Sequence, residues 1–300
     1  MSTELHAFGQ APCGCPLHSR RLFTAALLAG ATWPAWARDG VEITRNSRFT
    51  QLVPAETVEK EAAVQYAQLQ RQATEKRALV PASDPQVQRL RAITQRLVPH
   101  TYEWNERARN WKWEVNIIAS SQLNAFCMPG GKIAFYMGIL QELQLSDDEV
   151  AMVMGHEMAH ALREHAREQM GKQYATRGAI ELGAALFGLG NTGRTVAGLG
   201  GQLLTLKFGR EDESEADLVG MDLAAHAGYD PHAGVTLWQK MAAANKGAPP
   251  QWLSTHPAGP TRIKDIEASL PKVEPVYERA AKPAQRFAPP APAASAPPKG

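Results

Sequence analysis

The stretch from Ser146 to His160 constrains this chain most. Ser146-Asp147-Asp148-Glu149 is a capping box: a serine and the glutamate three residues on each accept from the other's backbone N–H, so a long helix starts there. Its body is apolar or small at Met152, Val153, Met154, Gly155, Met158 and Ala159, a composition that buries a helix. Yet His156, Glu157 and His160 sit inside it, and burying such groups is costly unless partners satisfy them. The fold must therefore bring partners to this helix. His156 and His160 lie one turn apart on one face. Two imidazoles so placed can share one tetrahedral zinc at about 2.0–2.1 Å. Glu157 is turned by about 100° from His156 and about 60° the other way from His160. It stands beside the metal rather than on it, which suits a base for the metal's water.

Two histidines leave a catalytic zinc short of one protein ligand. The acidic run Glu211-Asp212-Glu213-Ser214-Glu215-Ala216-Asp217 supplies candidates. Glu213 and Asp217 are four apart and share a helix face. Glu213 serves as third ligand, and Asp217 accepts from the other ring nitrogen of a ligand histidine. Glu215 points elsewhere on the helix, and Glu211 is a first-turn acid that favours the helix start. Ala216, Leu218, Val219 and Gly220 make this helix half-buried, not a solvated acidic face. His165 falls five residues after His160 and reads as a surface histidine. Cys127 reads as a small apolar residue in a strand.

The rest of the body is read more coarsely. Residues 56–79 form a helix, and Asp84-Pro85 starts another. Trp111 to Ile117 alternates as a half-buried strand. Asn124 to Met128 is a second short strand or loop, Pro129-Gly130-Gly131 a turn, and Lys132 to Met137 a further strand. Helices follow over about 211–227 and 260–270. Helices, a small sheet, then helices describe an α+β domain in which helix dominates. With 44% hydrophobic and 21% charged residues the chain resembles an ordinary globular protein, and a net charge of +2 gives no field that would draw nucleic acid.

The ends differ from the body. Arg20-Arg21 opens an apolar run from Leu22 to Ala31, and Ala35-Trp36-Ala37 is a small-x-small cleavage site. Residues 1–37 thus read as an export signal of twin-arginine type, followed by a linker over 38–54. Cleavage removes Cys13 and Cys15 and leaves Cys127 without an internal disulfide partner. Residues 276–300, rich in proline and alanine, read as a disordered tail behind a domain spanning 55–275. Residues 178–201 are rich in Gly, Ala and Leu but interrupted by Glu181 and Arg194, so they offer no uninterrupted membrane span. They read as packed helices or a mobile loop, with peripheral membrane contact left open.

His156-Glu-Met-Ala-His160, with Glu213-Ser-Glu-Ala-Asp217 downstream, resembles the gluzincin zinc metallopeptidases of the HtpX and CAAX-prenyl-protease family. Asn124-Ala-Phe-Cys-Met-Pro-Gly-Gly131 resembles that family's Asn-Ala-Phe-x-x-Pro-Gly-Gly segment. Thr255-His256-Pro257, with Arg262 six residues after the histidine, resembles its late His-Pro…Arg motif. The motifs stand in family order across residues 55–270, nearest the periplasmic BepA- and LoiP-like members but without a helical-repeat domain. The resemblance implies a zincin-like single domain with a small sheet beside the active-site helix, one Zn2+ per chain, and His256 close to it. There His256 would cap the metal at rest or assist catalysis, and Arg262 would bind a developing oxyanion or brace the loop. Asn124, Ala125, Phe126 and Cys127 would form an edge strand to which an extended substrate adds by backbone bonding. Expected partners are unfolded or misfolded envelope polypeptides, outer-membrane proteins among them. A chaperone-like binding module, with His256 closing a non-catalytic zinc site, is the alternative.

Overall fold

The computed structural model describes residues 40–41, 43, 46–186, 203, 206–244, 251–256 and 261–292. Helices α1 (Ala55–Glu75) and α2 (Pro85–Leu97) precede strands β1 (Glu114–Ile118), β2 (Ala125–Met128) and β3 (Lys132–Tyr136). Then come α3 (Met137–Glu142), α4 (Asp147–Leu162), α5 (His165–Leu186), α6 (Arg210–His226), α7 (Ala233–Ala244), α8 (Gln251–Thr255) and α9 (Arg262–Arg279). This is the helix-dominated α+β architecture that the order of motifs implied.

The capping box at Ser146 and Glu149 is present, and every residue of α4 except Asp148 is buried. A helix apolar around its whole girth belongs in a core. Its neighbours are α2, α6, α7 and β2. The contact with α6 is unusually intimate. A methyl group on Gly155 would stand 2.7 Å from the Gly220 carbonyl oxygen, and one on Gly220 would stand 2.6 Å from the His156 nitrogen. Only a pair of glycines lets the two backbones come this close, and the approach brings the acidic turn of α6 alongside His156.

The sheet has the order β1-β3-β2, with β1 parallel and β2 antiparallel to β3. Pro129-Gly130-Gly131 turns β2 into β3 with φ +84° and +77° at the two glycines, a conformation that side chains disfavour. β2 is thereby an edge strand, and it lies against α4. The first strand starts later than its alternating pattern predicted. Trp111 ends a 3-10 turn and its ring meets that of Trp113 at 5.4 Å, so pairing begins at Glu114.

The segments flanking the domain pack against it. In the expected linker, Val41 and Val53 are buried and residues Arg48–Leu52 form a 3-10 turn. The last helix continues through Pro271 and Pro275 because Ile266, Leu270, Val273 and Val276 keep burying one face. The helix therefore runs past 276, to Arg279. Beyond the helix the chain lies along the start of α4: Phe287 N–H donates to Asp147 at 2.8 Å, and Arg286 pairs with Asp148 at 2.8 Å. Residues 293–300 and the expected signal at 1–37 lie outside the described residues. So does most of 178–201 beyond the end of α5. Among the described residues no helix is long and apolar enough to cross a membrane.

Candidate metal centre

His156 and His160 project from the middle of α4 and are both buried. Their Nε2 atoms stand 3.1 Å apart. From α6, the Glu213 carboxylate comes within 3.6 Å of His156 Nε2 and 3.5 Å of His160 Nε2. His256, at the end of the α8 segment, brings Nδ1 to 3.0 Å from Glu213 and 3.4 Å from His156 Nε2. These four side chains offer ligand atoms that all lie within 4.8 Å of one another, and they form a cluster that could hold a metal ion. Glu157 is beside the cluster, 3.6 Å from His256 Nε2.

Each group is steered from behind. His156 Nδ1 is 3.0 Å from Asp217, whose two oxygens also accept from Arg262 Nε and Nη2 at 2.5 and 2.8 Å. Arg262 Nη1 reaches Glu213 at 2.7 Å, and the guanidinium lies 3.8 Å over the Trp238 ring. Arg262 thus sits behind Glu213 and His156 rather than in front of them. The Glu157 carboxylate accepts from Trp252 Nε1 at 2.5 Å. Phe208 stacks on His160 at 4.0 Å between ring centres.

The charge states suit a cation. Burial, then the neighbouring His156 and His256, push the His160 pKa well below the usual histidine value, so its lone pair is free at neutral pH. Burial favours a proton on Glu213, but the hydrogen bond from His256 and the charges of His156, His256 and Arg262 outweigh it and lower its pKa. Asp217 behaves alike: burial opposes its charge, and Arg262 with His156 overcomes that. For His256, burial works against a proton, while Glu157 and Glu213 on its two sides raise its pKa. Metal sites require deprotonated ligands, and His160 and Glu213 are held in that form.

His156, His160, Glu213, His256, Glu157, Asp217 and Arg262 lie together. Asn124, Ala125, Phe126 and Cys127 line the same cleft as Glu157, His160 and His256. One expectation fails. His165 is buried rather than on the surface, with Nδ1 2.8 Å from His160 Nδ1. Glu215 is outside the four-residue cluster; it pairs with Arg163 and lies 3.4 Å from His165 Nε2. The cause is the break after α4, where Glu164 adopts φ +59° and reverses the chain before His165. A left-handed glutamate has no sequence signature. Trp252 and Phe208 were also missed, although Trp252 precedes His256 by four residues and so shares its helical face.

Residues 84–270 match the profile of peptidase family M48. The chain belongs to peptidase family M48. Relatives of this M48 chain include the mitochondrial metalloendopeptidase OMA1 of Schizosaccharomyces pombe, 37% identical over 166 residues that cover 54% of this chain and 48% of that protein. The metalloprotease LoiP of Escherichia coli is 29% identical over 194 residues, covering 64% of this chain and 73% of LoiP. The beta-barrel assembly-enhancing protease of Yersinia pestis is 27% identical over 169 residues, covering 53% and 35%. This M48 chain spans about half the length of the yeast OMA1 relative it matches.

Proposed function

We propose that this protein is a zinc endopeptidase that hydrolyses unfolded or misfolded polypeptides of the cell envelope. One observation carries the reading. His156 Nε2 and His160 Nε2 stand 3.1 Å apart, and Glu213 turns one oxygen to each of them, Oε2 to His156 at 3.6 Å and Oε1 to His160 at 3.5 Å. Tetrahedral zinc with ligand bonds of about 2.0–2.1 Å sets neighbouring donors about 3.3–3.4 Å apart, close to these separations. His156, His160 and Glu213 would hold the ion, leaving one position for water or substrate. When bound there, zinc polarises the scissile carbonyl and acidifies a water.

Glu157 takes the proton from the attacking water and returns it to the leaving amine, with Trp252 fixing its orientation. His256, across from Glu157, donates to the carbonyl oxygen as negative charge develops. Arg262 and Asp217 act behind the ligands, holding Glu213 and His156 in place. Edge strand β2 presents Asn124 to Cys127 to an extended substrate, which reads an unfolded chain by its backbone and excludes a folded one. The binding-module alternative is not favoured. Its fourth donor, His256, is at hand, but a closed structural zinc needs no base, and Glu157 is oriented beside the cluster.

The export-like sequence between Arg20 and Ala37 supports a periplasmic location, and the Yersinia relative's name ties that protein to β-barrel assembly. Outer-membrane proteins that fail to fold are then candidate substrates. Metal removal tests the reading. Protein stripped with 1,10-phenanthroline should lose cleavage of casein or unfolded porin and recover it with about one equivalent of Zn2+. Full cleavage by the stripped protein would contradict it.

A further inference from the structure

Metal-ligating histidines are usually held by a carboxylate, carbonyl or water on their second nitrogen. His156 follows that rule through Asp217. His160 does not: the group on its Nδ1 is another imidazole, His165, at 2.8 Å. Both rings are buried, so neither nitrogen can turn to bulk water instead. On its far side His165 Nε2 lies 3.4 Å from Glu215, whose other oxygen accepts from Arg163 Nε.

We infer that His165, oriented by Glu215 and Arg163, is a positioning residue for the metal ligand His160. The inference rests on the metal site proposed above. The proton pattern follows from the geometry. With His160 Nε2 turned to the metal cluster, its Nδ1 carries the hydrogen and donates to His165 Nδ1. His165 must then carry its own hydrogen on Nε2, where the Glu215 carboxylate accepts it. Arg163 keeps that carboxylate charged and in place. The chain Arg163–Glu215–His165–His160 fixes both the tautomer and the ring angle of the ligand, as Arg262–Asp217 does for His156. The reversal at Glu164 that carries the chain into α5 is what places His165 under His160.

The discriminating experiment compares His165→Leu with His165→Asn, reading zinc affinity by competition with a chromogenic chelator and folding by circular dichroism. Leucine fills the space without an acceptor; asparagine puts an acceptor oxygen where Nδ1 was. The His165→Leu protein should bind Zn2+ about 10–100-fold more weakly, the span that loss of such a partner costs, and His165→Asn should stay within a few-fold of wild type. Glu215→Gln, at the partly exposed end of the chain, should weaken binding less than His165→Leu and serves as the readout if the leucine variant does not fold. Wild-type affinity in both His165→Leu and Glu215→Gln, or equal loss in His165→Leu and His165→Asn, would overturn the inference. Wild-type protein that binds no zinc would instead overturn the metal site on which it rests.

Discussion

A Glu157→Gln chain will retain its zinc and cleave unfolded casein about 10²–10⁴-fold more slowly than wild type, the range that a positioned general base contributes. Glutamine keeps the shape of the side chain and an oxygen that can accept from Trp252 Nε1, which now reaches Glu157 at 2.5 Å. What it loses is the ability to take and return a proton. The measurement is kcat/KM, with zinc content determined on the same sample so that a lost metal is not mistaken for a lost base. Undiminished cleavage would remove Glu157 from the mechanism. A variant without zinc would show that Glu157 holds the metal site together instead.

Replacing Arg262 by methionine should destabilise the folded protein by about 3–5 kcal/mol, the usual cost of removing one partner from a buried ion pair. Methionine keeps contact with the Trp238 ring, so the change isolates the charge. Arg262 bonds to both Asp217 and Glu213, all three of them buried, and without it two buried carboxylates lose the cation they share. At roughly 2–4 °C per kcal/mol for a chain of this size, the melting midpoint of the metal-free protein should fall by about 6–20 °C. Adding Asp217→Asn should recover part of that loss, because it removes one of the two stranded charges. If Arg262 instead acted only on a developing oxyanion, the single variant would lose kcat at an unchanged melting midpoint.

Much of this site could be read from residue spacing. Four-residue separations placed His156 with His160 and Glu213 with Asp217, because helical periodicity is a local property. The start of α4 was equally legible, since the capping box is a contact between neighbours in sequence. What escaped depended on the path of the chain between elements. The reversal at Glu164 put His165 beneath His160 and gave Glu215 two partners. The glycine contact between α4 and α6 sets how near Glu213 comes to the histidines, yet Gly155 and Gly220 carry no mark of meeting each other. For Arg262 a brace of the loop was one of two roles legible in the sequence, but not that it braces Asp217 and Glu213, which depends on both lying on one side of it. At the C-terminus composition carried no sign that the Phe287 N–H would meet Asp147 at the start of α4.

The most direct measurement is anomalous X-ray scattering at the zinc edge from crystals of the zinc-loaded protein. One peak is expected, within about 2.0–2.2 Å of His156 Nε2, His160 Nε2 and a Glu213 oxygen, with water at the fourth position. A peak that leaves Glu213 out, or one whose fourth position is closed by His256 Nδ1, would contradict it.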